Sequence, residues 1–188
     1  VFRSIRQTIL EYLCGFENKA VLDLCCGTGN QLKLLASSGF NKLYGVDLSQ
    51  PMLNVAGKNA HGINLYLEDA GETHFQDHEM DAIIISLALH EKNKSTQMAL
   101  LSESKRLLKP GGRLIIADYQ YDETSPALTK MIINFVEHIA GGEHFQNYLT
   151  YIQNGGLNGL LEDSPWFSIK SRKHIKGCLT ITALACKK

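Results

Sequence analysis

Nothing in this 188-residue chain favours a polyanionic partner. Lys plus Arg number 19 and Asp plus Glu number 19, a formal net charge of zero. No basic run or basic amphipathic helix breaks that balance, so nucleic acid is not an expected partner. Long apolar runs are also missing: "AIIISLAL" (82–89) falls far short of the roughly 20 residues that span a bilayer, and no membrane span is expected. The opening "VFRSIRQTIL" lacks the basic, apolar and small-residue regions of a secretory signal. It starts at Val in a helical pattern, and residues are expected upstream. Five cysteines (14, 25, 26, 178 and 186) include no C-x-x-C pair. They form neither a disulfide framework nor a zinc-ligand pattern, and a reducing, cytoplasmic compartment is the simplest expectation.

What is present is alternation. "KAVLDL" (19–24), "KLYGVDL" (42–48), "INLYLED" (63–69), "DAIIIS" (81–86) and "GRLIIADY" (112–119) read as strands. Helical patterns over 30–38, 50–59 and 95–108 separate them, the last stopped by "KPGG". Near-continuous apolar strands alternating with helices predict an α/β fold, a parallel sheet covered on both faces. From Ser125–Pro126 a helix carries Leu128, Met131, Ile132, Phe135, Val136 and Ile139 on one stripe. That stripe is most simply expected to face the core; a greasy substrate or a dimer partner is the alternative. Gly141–Gly142 ends it, and 144–152 adds a helical turn or two before Gly155–Gly156. The runs 166–175 and 178–186 alternate and read as a β-hairpin. With no repeat, low-complexity tract or linker, one domain over 1–188 is expected, with 120–165 a helical segment on its substrate side.

In an open parallel sheet, ligands bind beyond the carboxyl ends of the strands. There the sequence puts Asp23 with the Gly27-x-Gly29 turn, then Asp47, Asp69 and the stretch from Ser86 to Glu91, with no lysine or arginine read beside the acids. A dinucleotide fingerprint wants a third glycine where Leu32 stands, and a P-loop wants Gly-Lys-Ser/Thr, which is missing. A ligand rich in hydrogen-bond donors and positive charge suits the acids better, and S-adenosylmethionine is such a ligand. Asp47 could accept from its ribose hydroxyls and Asp69 from its adenine amine. Asp23 could meet its ammonium, and Gly27 and Gly29 could let its amino-acid portion lie against bare backbone.

"VLDLCCGTGN", "LYGVDLSQPML", "LEDAGETHFQDHEMDAIIISLALHE" and "LLKPGGRLIIADY" resemble, in order and spacing, the successive motifs of class I S-adenosylmethionine-dependent methyltransferases. Among these, the small-molecule branch typified by ubiquinone and menaquinone biosynthesis is the most similar. The resemblance covers roughly residues 20–120. It implies a Rossmann-like three-layer sandwich with a seven-stranded, mostly parallel sheet whose last strand is antiparallel, and a small-molecule methyl acceptor. It also implies roles for single residues. Asp23, Gly27 and Gly29 would form the first motif. Asp47 would hold the ribose, with Leu48 and Met52 packing by the adenine. Asp69 and Ala70 would meet the adenine edge, and Ser86 and Leu87 would border the methionine portion.

Methyl transfer needs a base only when the acceptor must lose a proton. His90 and Glu91 are the candidates, with His144 and Tyr148, four apart on a predicted helix, as a roof over the acceptor. The plain alternatives are a capping or lining His90 and a polar tip on a surface helix. Tyr119 and Tyr121 read as pocket-lining or packing aromatics. His74, Asp77, His78 and Glu79 read as a solvated loop, and no metal site is expected. Cys25 and Cys26 are expected as compact residues in a crowded turn, one beside the cofactor and one in the core. Rival readings are a non-catalytic scaffold of the same fold, a protein methyltransferase, and transfer of an aminopropyl group.

Overall fold

The protein is seen in a computed structural model that describes residues 2–59, 62–175 and 177–187. The elements, in chain order, are α1 Phe2–Tyr12, β1 Val21–Leu24, α2 Asn30–Ser37, β2 Leu43–Asp47, α3 Gln50–Asn59, β3 Asn64–Leu67, β4 Met80–Ser86, α4 Lys94–Leu107, β5 Leu108–Tyr119, α5 Ala127–Ala140, α6 Gly142–Gln153, α7 Gly156–Glu162, β6 Phe167–Ile175 and β7 Leu179–Cys186. They build one seven-stranded sheet ordered β3-β2-β1-β4-β5-β7-β6. β1 to β5 are parallel, and β7 runs antiparallel between β5 and β6.

Strand periodicity explains the near-continuous apolar runs. Successive side chains point to opposite faces. Leu22, Leu24, Ile83, Ile85, Leu114 and Ile116 therefore join one core cluster with Leu100 and Leu101 of α4 and Leu157 and Leu160 of α7. Val21, Ala82, Ile84, Ile115 and Ala117 join the other, with Ile5 and Ile9 of α1 and Leu32 and Leu35 of α2. The strand order reverses between β1 and β4, which opens a crevice at the carboxyl ends of β1, β2 and β4.

Two expectations fail, and one helix is added within the helical segment expected over 120–165. The apolar stripe of α5 does not face the core: Phe135 is 65% exposed and its five stripe partners are more than half exposed, whereas Glu137 on the same helix is 5% exposed. Periodicity locates a stripe but not the side from which the body approaches. Next, β5 begins at Leu108 and runs through "KPGG" instead of starting at 112. A register shift between Met80 and Ala82 absorbs the irregular stretch, with Gly111 at φ 80°, as a bulge does. Finally, α7 is an extra helix of seven residues. Its start is the glycine pair itself, Gly155 at φ 87° and Gly156 at φ 62°, which turns the chain so that Leu157 and Leu160 enter the core.

Candidate functional site

A cleft of about 760 Å³ lies at the carboxyl ends of β1, β2 and β4, within the size range of cofactor sites. It is lined by Asp23, Cys25, Gly27, Asp47, Leu48, Met52, Asp69, Ala70, Ser86 and Leu87. These are all the sequence-derived cofactor candidates but Gly29. Gly29 has φ 70°, and a Cβ there would come 2.9 Å from the Cβ of Ala56. Its role is to let the turn pack on α3. Gly27, at φ 53°, would direct a Cβ into open space, on the cleft that it lines.

Asp47 organises the turn. Its Oδ2 accepts from the Gly27 N–H at 2.8 Å and its Oδ1 from the Ser49 N–H at 2.8 Å. A carboxylate oxygen accepts more than one hydrogen bond, so both oxygens keep capacity toward the cleft. Asp69 accepts from the Gly71 N–H at 2.8 Å and is otherwise exposed. Asp23 is 3% exposed. Burial, then the Asp47 charge, push its carboxyl up to about 8.

Two non-glycine residues are in the left-handed region at adjacent strand ends: Cys25 at φ 61° after β1 and Leu87 at φ 56° after β4. Both line the cleft, and such strain collects where a site fixes its backbone. The thiols are not prepared for chemistry. Burial first, with nearby carboxylates adding to it against Lys92, pushes the Cys25 thiol up to about 12. Burial and Asp23 push the Cys26 thiol higher still, and Cys26 packs into the second core cluster. Because the thiolate is the reactive form, alkylation of the folded chain at neutral pH should label exposed Cys14 about 100-fold faster than Cys25. Peptide mass spectrometry reads this, and equal labelling would contradict the protection by burial.

The expectation of acids without cations is wrong. Arg6 of α1 and Lys92 also line the cleft. Ile5 and Ile9 anchor α1 on the sheet, and that brings a residue 17 positions before Asp23 to the same crevice. Lys92 Nζ is 2.6 Å from Glu91 Oε1.

Of the catalytic candidates, Glu91 alone lines the cleft. His90, His144 and Tyr148 gather beside it with residues that sequence reading did not single out. His90 is 5% exposed. Its Nδ1 is 2.7 Å from Asp118 Oδ1, and Asp118 Oδ2 accepts from the Leu89 N–H at 2.9 Å, so β5 fixes the loop after β4. Burial opposes the charged imidazole, but Asp118, then Glu137 and Glu91, outweigh it and hold the His90 pKa above its ordinary value. His144 Nε2 is 2.6 Å from Glu137 Oε2, and its Nδ1 is 3.4 Å from Glu91 Oε2. Tyr148 is fully buried, not a surface tip, and its hydroxyl is 2.8 Å from that of Tyr121. The Asn147 side chain donates to the Glu91 carbonyl at 2.9 Å, which ties α6 to the cleft wall. The signal available for Glu137 was an acid set inside an apolar helix. Asp118 gave none.

The group of His74, Asp77, His78 and Glu79 disperses. His74 pairs with Glu68, Asp77 with Arg106, His78 with the Leu108 carbonyl, and Glu79 with the Gln76 N–H.

Residues 21–112 match the family described as "Methyltransferase domain". A demethylmenaquinone methyltransferase from Thermotoga maritima is 32% identical over 166 residues, 84% of this chain and 71% of that protein. One from Renibacterium salmoninarum is 29% identical over 127 residues, 68% of this chain. The chain spans about half, 52%, of that relative's length. Among solved structures, magnesium protoporphyrin IX methyltransferase from Synechocystis, with bound SAH, superposes with a TM-score of 0.70 at 18% identity, over 99% of this chain and 84% of that one. That likeness shows the fold. Among the described residues, no helix is long and apolar enough to cross a membrane. Seven strands in this order, the glycine turn with three strand-end acids, and these similarities agree: the chain belongs to the class I S-adenosylmethionine-dependent methyltransferases.

Proposed function

We propose that the chain binds S-adenosylmethionine in the cleft and transfers its methyl group to a small-molecule acceptor. One observation carries the reading: a glycine turn and three strand-end carboxylates border one cleft of cofactor size. The donor set fits the ligand. Asp47, already tied to Gly27, offers its remaining lone pairs to the ribose hydroxyls. Asp69 and Ala70 meet the adenine edge, and exposed Leu48 and Met52 gain apolar cover from the base. Buried Asp23 faces the ammonium, Arg6 offers charge to the carboxylate, and Ser86 and Leu87 border the methionine chain.

Bound there, the cofactor supplies a methyl activated by a sulfonium. The protein's own part is position and exclusion of water. Glu91, at the cleft wall and beside His144, is placed to take a proton from an acceptor that must lose one. The demethylmenaquinone methyltransferases that the chain resembles support a small, apolar acceptor, and the zero net charge gives no support to a polyanion. The test is a panel of quinols, phenols and small amines with labelled cofactor. Label should move to a small acceptor and not to protein. Transfer only to protein acceptors would overturn the small-molecule reading.

A further inference from the structure

α5 presents an unusual balance. Its apolar stripe is exposed, and the residue it buries is Glu137. Burying a carboxylate costs several kcal/mol unless it is well partnered (about that scale per ion). Among the described residues, the ionic partners of Glu137 are His90 and His144, with no lysine or arginine. Its Oε2 lies 2.6 Å from His144 Nε2 and 3.7 Å from His90 Nε2. Ligand atoms of a tetrahedral zinc site lie about 3.3 Å apart, between those two distances. One donor atom from each of the three residues falls within 4.8 Å of the others.

The outer atoms are held as well. His90 Nδ1 is fixed by Asp118 Oδ1 at 2.7 Å. The Tyr119 hydroxyl donates to Glu137 Oε1 at 2.9 Å, and His144 Nδ1 faces Glu91 Oε2 at 3.4 Å. Metal-ligating imidazoles are oriented this way, with the far nitrogen on a carboxylate. We propose that His90, Glu137 and His144 form a binding site for one divalent transition-metal ion, zinc foremost. Two imidazoles and one carboxylate suit zinc, iron or cobalt, while magnesium and calcium prefer oxygen ligands alone. His144 is part-exposed and leaves an entry path. The ion would join α5 and α6 to the loop after β4, one side chain from the cleft. This inference does not depend on the methyl-transfer reading.

The test is metal content. Chelator-treated full chain is incubated with excess zinc chloride, desalted and analysed by plasma mass spectrometry. Wild type should retain about one zinc per chain, and His144→Ala and Glu137→Gln should each retain about tenfold less. Gln146→Ala, exposed on the same helix and outside the ligand set, should retain the wild-type amount. Circular dichroism checks each fold. Cobalt-loaded wild type, which needs no variant, should show ligand-field absorption without a thiolate charge-transfer band. Wild-type zinc below about a tenth of the chain concentration would overturn the proposal. So would undiminished zinc in folded variants, or a thiolate band placing the ion on cysteines.

Discussion

Asp47→Ala lowers the affinity for S-adenosylmethionine by about 100-fold or more. A hydrogen bond to a charged group contributes about 1.5–3 kcal/mol, and two to the ribose hydroxyls are lost together. The structure adds a second loss. Asp47 also accepts from the Gly27 and Ser49 N–H groups, so alanine releases the glycine turn that lies along the cofactor. Asp47→Asn separates the two. Its amide oxygen still accepts from one of the two backbone N–H groups, the turn is partly held, and the lost charge is felt mainly at the ribose. Calorimetric titration of both variants with the demethylated product, beside circular dichroism, measures this. Affinity retained within a few-fold in a folded Asp47→Ala would remove Asp47 from the ribose.

The second large effect is on pH. Burial and Asp47 push the Asp23 carboxyl up to about 8 from 3.8. At pH 7 the free cleft thus holds a mostly protonated Asp23. A ligand ammonium is paired only by the ionised form, so binding must expel the proton. The sign follows from linkage: affinity rises with pH by up to tenfold per unit below the free-state pKa. From pH 6 to 8 the expected gain is about 100-fold at most. It levels off above 8, where the ligand amine begins to lose its own proton, since a free α-amino group titrates at about 7.7–8.0. For the ligand-free fold the sign is opposite. A raised acid pKa leaves stability intact below about pH 4 and removes it as pH climbs toward 8. Asp23→Asn should flatten the affinity profile and raise the melting temperature at pH 8.5. A flat wild-type profile, or an unchanged slope in Asp23→Asn, would contradict this role.

The sequence was informative where chemistry is local. Val21 to Leu24 and Ala82 to Ile85 show strands because apolar residues fill both faces. Asp23, Asp47 and Asp69 were readable because each lies at or just past the carboxyl end of its own strand. Contacts between distant segments were not. Arg6 reaches the cleft only because α1 docks on the sheet, so the acids looked cation-free. His90 gathers with Asp118, Glu137 and His144 across 28 to 54 positions, with no spacing that marks them. The stripe on α5 was visible, but whether apolar residues or Glu137 would be buried depended on what His90 and Tyr119 offered at that face. The adjacent cysteines are expected as compact residues in a crowded turn, and Cys26 packs into the second core cluster.

The proposed activity turns on whether this cleft holds S-adenosylmethionine, and titration of the folded wild-type chain with S-adenosylhomocysteine asks that without an acceptor or a variant. Saturable binding at one site is expected in about the micromolar range, strengthening from pH 6 to 8 and lost in Asp47→Ala. No heat and no saturation at pH 8, with the chain shown to be folded, would contradict it.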